Sequence, residues 1–482
     1  VAGRNKQNIG GLEARRRRRT WIVVTSALVV VVVAGAAVLL TVKPWTEEFR
    51  HGGLTIAAPP APVKALPQVV PAPVTAPVPS ANGLTASLTP VAGSPDLGAF
   101  AASVADGDSG NVLWGIDPDK PMIPSSTAKV LVTSAALLGL PADHRITTKV
   151  VSGATPSELV LVGAGDPTLT AAPDGKGYYT DAPKLSDLVS QIKATGRKFD
   201  SVVVDTSAFS GPTMAPGWDP VDIGDGSIAP MEPVMIDGGR LGQLWDYSPR
   251  TATPALDTGR ALATELGLDP ARVKAGTAAP GATKVAAVQS APLRTRLLDM
   301  MLHSDNLLAE AVGRELALAT GNDASFTGAV TAVMTTLKAA GFDTTGVTML
   351  DNSGLSTDDR IPPRLLNRIL TVAALPNMAA AQGNSTSSDA AGSPLGAMLD
   401  YLPVAGGTGS LATRYTVRDH DGAGWVRAKT GTLSVASALV GYVLDRDGRV
   451  LTFALMSNER PPEVSRPALD AVAAALRNCG CS

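Results

Sequence analysis

The longest uninterrupted apolar run comes early. Trp21 to Val42 is 22 residues without a charge, rich in Val, Leu, Ala and Ile, enough to cross a bilayer as one helix. Arg15 to Arg19 lie just before it; Lys43, Glu47 and Glu48 lie just after. That asymmetry predicts a basic cytoplasmic tail over 1–20, a single-pass membrane anchor over 21–42 and an extracytoplasmic body. A cleaved signal peptide is the competing reading, but its apolar core is ordinarily shorter and ends at small residues, whereas this run meets Lys43-Pro44-Trp45. Both readings export everything downstream.

Periodicity then disappears. From about Ala57 to Pro95 the chain is dominated by Pro, Ala and Val, with Pro59-Pro60 and Pro71-Ala72-Pro73, and we expect a polyproline-like linker over 43–95. Past it, Ser103–Ala105 and Val112–Trp114 flank the turn Asp106-Gly107-Asp108-Ser109-Gly110 and predict a hairpin. A helix should follow Pro124, with Ser125 as its cap and Ser126 in its first turn. After Pro141 the rhythm becomes strand-like at Ile146–Val151 and Leu159–Val162, then helical at Leu185–Ile192, then strand-like again at Val202–Val204. Helical spacing resumes at Leu293–Leu302 and Leu307–Leu316. The C-terminal part predicts an antiparallel meander of Trp425–Lys429, Leu439–Leu444 and Val450–Met456, closed by a helix with Leu469, Val472, Ala473 and Leu476 on one face. The expected architecture is α+β, an antiparallel sheet flanked by helices. Its main domain is split into 96–142 and 286–478 by an inserted domain at 143–285, with a short tail at 479–482.

A formal net charge of −2 offers no argument for nucleic acid as a partner. The two cysteines, Cys479 and Cys481, sit in the terminal tail, build no disulfide framework for the fold and are expected to fray with it. None of the four histidines has zinc-ligand spacing, and His303 reads as a packing residue.

Acyl transfer through serine needs a hydroxyl, a base for its proton and donors for the oxyanion. Ser126 and Lys129, three apart at a helix start, share a face and supply the first two. Spacing alone does not select them, since Ser190-Gln191-Ile192-Lys193 matches it in mid-helix; position after Pro124 does. Ser304-Asp305-Asn306 adds a second hydroxyl and an amide at a helix junction, although Ser80-Ala81-Asn82 and Ser109-Gly110-Asn111 share its pattern. Lys429-Thr430-Gly431-Thr432 on a strand offers a positive charge, two hydroxyls for a carboxylate and a glycine for close backbone approach.

In this order the three elements resemble the set shared by penicillin-binding proteins and serine β-lactamases. Further segments narrow the resemblance, over roughly 101–460, to the class C low-molecular-weight penicillin-binding proteins, the D-alanyl-D-alanine carboxypeptidase/endopeptidase family. These are Gly165-Asp166-Pro167-Thr168-Leu169, Pro216-Gly217-Trp218, Asp351-Asn352-Ser353-Gly354-Leu355-Ser356, and Leu402-Pro403 through Gly409-Ser410-Leu411. The family carries a long insertion between its first two motifs, and the 178 residues from Ser126 to Ser304 are consistent with one, shorter than in the longest members. The resemblance implies a transpeptidase-like (serine β-lactamase-like) fold and a serine D,D-peptidase that acts on peptidoglycan stem peptides and is acylated by β-lactams. It implies Ser126 as nucleophile, Lys129 as base, Ser304 as proton relay, and Asn306, Lys429, Thr430, Gly431 and Thr432 as the substrate-binding set, with the oxyanion in the N–H groups of Ser126 and Thr432. No metal or cofactor is implied. A β-lactamase would use the same motifs, but the compact penicillinases set the first two closer and lack the linker. A penicillin sensor would need a cytoplasmic signalling domain, for which about twenty residues are too few. Carboxypeptidase and endopeptidase action differ only in the amine that leaves, and the sequence does not choose between them.

Overall fold

The computed structural model describes residues 9–46, 75–375 and 393–481. Residues 1–70 form one unit and 71–482 another. The first contains helix α1 (Ile9–Val42), whose stretch Arg18–Val42 is long and apolar enough to cross a membrane. Pro59-Pro60 and Pro71-Ala72-Pro73 lie outside the described residues.

The second unit is organised by a five-stranded antiparallel sheet in the order β10-β11-β12-β1-β2. Its strands are β1 (Ala99–Asp106), β2 (Val112–Ile116), β10 (Arg427–Leu433), β11 (Ala436–Leu444) and β12 (Val450–Asn458). The predicted hairpin and meander are therefore both present, joined where β1 pairs with β12. One face is covered by helix α10 (Pro462–Asn478), whose Leu469, Val472, Ala473 and Leu476 are buried as their spacing predicts. Each of these Leu and Val side chains contributes about 1.5–3 kcal/mol. Against the other face lie α3 (Lys129–Gly139), α6 (Leu293–His303), α7 (Asn306–Ala319), α8 (Phe326–Ala339) and α9 (Pro363–Ala374), which share one apolar core.

Between α3 and α6 the chain builds a second sheet, β8-β6-β4-β3-β9. It comprises β3 (Thr147–Ser152), β4 (Glu158–Val162), β6 (Ser201–Asp205), β8 (Lys274–Gly276) and β9 (Lys284–Gln289), with β4, β6 and β8 mutually parallel. Helices α4 (Leu185–Ala194) and α5 (Pro254–Glu265) bury Leu188, Ile192 and Leu262 with Leu161 and Val204 of this sheet. The last strand runs to Gln289 and pairs with β3, so this sheet extends past 285.

Two expectations are corrected at the chain's margins. Residues 81–92, expected in the linker, form helix α2 (Ala81–Ala92), capped by Ser80, with Leu84 and Leu88 buried beside Leu469 and Leu476. The reason is an i,i+4 leucine pair that composition alone obscured. Ala76 is also held, its carbonyl accepting from Arg449, which pairs with Asp106 through two bonds of 2.6 Å. Nor is the C-terminal tail frayed. Cys479 and Cys481 are disulfide-bonded to each other, Cys479 is buried, and the Cys481 carbonyl accepts from the Ser80 N–H at 2.9 Å.

Candidate active site

The start of the α3 segment is not a capped helix. Residues 125–128 make a 3₁₀ turn before α3, and Ser125 has φ +49° with its hydroxyl buried and unpartnered among the described residues. Ser125 therefore does not cap, contrary to expectation. Tertiary contacts hold the turn instead. Gly354, at φ +77°, lies so close that a Cβ there would meet the Ser125 carbonyl oxygen at 1.9 Å, and a Cβ on Gly431 would meet the Pro124 carbonyl at 2.8 Å. Gly431 is thus needed for β10 to reach the turn, a constraint separate from the substrate approach the sequence suggests. We expect Gly354→Ala to cost about 2–5 kcal/mol, from a left-handed backbone plus an overpacked contact. Denaturant unfolding measures it; a change below about 0.5 kcal/mol, the ordinary surface effect, would contradict this packing.

Ser126 itself is partly exposed, at the head of a cleft. Lys129 is fully buried, and its Nζ donates to Ser126 Oγ at 3.0 Å, to Asn306 Oδ1 at 2.7 Å and to the Ser353 carbonyl at 2.8 Å. Burial pulls its pKa down to about 8, against the opposing influence of the Asp351, Asp305 and Glu310 carboxylates. Ser353 is presented by a buried loop: Asp351 accepts from the Gly354 and Ser356 N–H groups and from Trp218 Nε1, and Glu310 accepts from the Asn352 and Ser353 N–H groups. Glu310, Arg314 and the Ser353 carbonyl escaped the sequence reading. The available signal was a Glu and an Arg four apart inside a largely apolar helix, where charges are rarely buried unpaired.

The second motif lies on the junction of α6 and α7, helices joined by the buried bidentate pair Arg296–Glu315 at 2.6 and 2.9 Å. Ser304 ends α6 in a left-handed conformation, φ +56°, and Asp305 caps α7 by accepting from the Leu308 N–H at 2.9 Å. Arg240 and Tyr179, both from the segment between the first two motifs, donate to the other Asp305 oxygen at 3.0 Å each. Burial opposes the Asp305 charge, yet the Arg240 and Arg250 guanidiniums and the Leu308 N–H hold its pKa at about 2. Asn306 is held at both ends, with Nδ2 donating to the Ser227 carbonyl at 3.0 Å.

From β10, the edge strand, the buried Lys429 donates to Ser304 Oγ at 2.8 Å, and its own pKa is depressed by burial and by the charge of Lys129. Thr430 Oγ1 and Ser410 Oγ are 2.6 Å apart. All eight residues singled out from the sequence therefore converge: Ser126, Lys129 and Asn306 share one set of hydrogen bonds, and Ser304 and Lys429 another that reaches the Thr430 carbonyl, with Gly431 and Thr432 next on the same strand. The decoys do not join it: Ser190 donates to the Ser186 carbonyl within its own helix, and Lys193 to the Glu265 carbonyl. The cleft occupies about 520 Å³ beside Ser126, Ser304, Ser410, Thr430 and Thr432. His303 also lines it; its ring packs edge-on against Tyr178, with centroids 5.6 Å apart, and it pairs with Asp246 at 3.3 Å. That hydrogen bond raises the His303 pKa and lowers that of Asp246.

This arrangement supplies an accessible hydroxyl against a buried amine of depressed pKa, a second hydroxyl held by another lysine, and a strand edge bearing further hydroxyls. Residues 84–246 and 242–479 match the sequence profile of the D-Ala-D-Ala carboxypeptidase 3 (S13) family. A carboxypeptidase of Mycobacterium tuberculosis is 48% identical over 438 residues, 90% of this chain and 92% of that one. The carboxypeptidase DacB of Mycolicibacterium smegmatis is 47% identical over 442 residues, with the same coverage. Among solved structures, penicillin-binding protein 4 of Haemophilus influenzae superposes with a TM-score of 0.61 at 20% identity, over 82% of this chain and 98% of that one.

Proposed function

The chain belongs to the D-Ala-D-Ala carboxypeptidase 3 (S13) family, and from that premise we propose how its residues divide the work of a serine-type D-alanyl-D-alanine carboxypeptidase acting on peptidoglycan stem peptides. Ser126 Oγ attacks the carbonyl between the two D-alanines, and Lys129 takes its proton. The observation that carries this reading is the 3.0 Å contact from Nζ to Oγ, made by an amine that burial has brought to a pKa of about 8. An ordinary lysine at neutral pH is almost wholly protonated and cannot accept; this one is neutral in a useful fraction.

The C–N bond breaks as the acyl-serine forms, and the leaving amine takes a proton through Ser304, whose hydroxyl Lys429 holds at 2.8 Å. Asn306 positions the amide on the acyl side. Lys429 supplies the positive field, Thr430 and Thr432 hold the terminal carboxylate, Gly431 keeps the strand close to the nucleophile, and the N–H groups of Ser126 and Thr432 receive the oxyanion. Water then hydrolyses the ester. A β-lactam carries its own amide into the same position and leaves a stable adduct on Ser126. The helix Arg18–Val42 serves as a single-pass anchor with the catalytic body extracytoplasmic, where stem peptides are found.

The test is release of D-alanine from a stem pentapeptide by the full chain in detergent, with the mass of a penicillin adduct mapped by peptide digestion. We expect stoichiometric release and an adduct on Ser126. Release without any serine adduct would overturn the acyl-enzyme assignment.

A further inference from the structure

The cleft does not end where a single alanine would. Beyond Ser410, Thr430 and Thr432 its wall continues to Arg414 and Arg466, which line the same space as Ser126. The two arginines are in different states. Arg414 is committed, its guanidinium paired through two bonds of 2.6 and 3.0 Å to Asp470, which is itself largely buried. It also donates to the Arg466 carbonyl at 3.2 Å, fixing the backbone there.

Arg466 is exposed, and among the described residues its side chain makes one hydrogen bond, from Nε to the Pro462 carbonyl of its own helix, and has no carboxylate within ion-pair reach. A guanidinium with donors to spare, facing a cleft, suits recognition of a carboxylate from outside the chain.

Resting on the carboxypeptidase assignment above, we infer that Arg466 is a specificity-determining residue for the leaving group: it binds a second carboxylate, one carried by a leaving peptide and absent from free D-alanine. The carboxylate next to the scissile bond is taken by Thr430 and Thr432, so D-alanine has none left for Arg466. A stem peptide released from a cross-link has further carboxylates, and the cleft has the room. The same acyl-serine chemistry then serves cross-link cleavage; only the amine that departs, and its grip on Arg466, differ.

The experiment uses the full chain in detergent and three substrates. One is a pentapeptide ending in D-Ala-D-Ala, the second a cross-linked dimer whose leaving stem keeps a free carboxylate, and the third the same dimer with that carboxylate amidated. The wild type should cleave the free-acid dimer about tenfold more efficiently in kcat/KM than the amidated one, the size of a charge-assisted contact in a solvated cleft. Arg466→Gln should bring that ratio close to one, mainly through KM, and Arg466→Lys should retain part of it. Penicillin adduct stoichiometry reports that each variant is folded. A wild type that does not distinguish the two dimers overturns the inference, as does an Arg466→Gln that keeps the preference or loses all three activities by one factor. A chain that releases D-alanine yet leaves both dimers intact overturns it while the carboxypeptidase assignment stands. Failure on all three substrates, with no adduct, removes both.

Discussion

Ser126→Ala should lower D-alanine release by on the order of 10⁴- to 10⁶-fold, the loss seen when an acyl-transfer nucleophile is removed, because the proposed mechanism forms the ester on Ser126 alone. The fold should survive. Ser126 is partly exposed, and among the described residues its hydroxyl makes one hydrogen bond, the 3.0 Å bond from Lys129, which keeps its other two acceptors, Asn306 Oδ1 and the Ser353 carbonyl. Stability should therefore change by less than about 1 kcal/mol, a single net hydrogen bond. The paired measurements are steady-state release and intact mass after exposure to a penicillin. An adduct that persists in the variant would move the nucleophile to another hydroxyl of the cleft, such as Ser304, held by Lys429, or Ser410, beside Thr430.

The second large effect concerns Lys129. Replacing it with methionine removes the base and should reduce kcat/KM by about 10²- to 10⁴-fold, the usual span for a positioned general base. The pH profile separates this from simple loss of packing. Lys129 is active when neutral, and burial has lowered its pKa to about 8, so kcat/KM of the wild type should rise with pH and level off above about 8. At pH 7 only about a tenth of the chains hold it neutral. Lys429 lies in the same buried network and repels it, so the measured inflection belongs to the pair rather than to one amine. In Lys129→Met the rise near pH 8 should vanish. A variant that kept the same inflection would assign the titration to another group.

Most of what carries chemistry could be read directly. Ser126 with Lys129, Ser304 with Asn306, and Lys429 with Thr430 and Thr432 are each close neighbours in the chain, set by the geometry of one turn or one strand. Strand alternation and helical spacing placed β1, β2, β11, β12 and α10 for the same local reason, that side-chain direction repeats every two or 3.6 residues. Composition misled where it replaced periodicity: the proline-rich tract hid the Leu84–Leu88 stripe, and two terminal cysteines were set aside although Cys479 is buried in the same cluster.

What local pattern could not specify is which distant residues meet. Arg240 and Tyr179 reach Asp305 from across the inserted segment, and the Ser353 carbonyl reaches Lys129 from more than two hundred positions away. Such partners are chosen by packing, because a buried charge or amine must find donors and acceptors wherever the fold brings them. The chain alone thus determined the candidate residues, their order and the elements that carry them. Only the tertiary structure decided that Lys129 is fully buried, that a strained turn rather than a cap presents Ser126, and that Arg466 faces the cleft without an ion partner among the described residues. Dielectric, strain and free valence are properties of the assembled surroundings, and no spacing in the sequence encodes them.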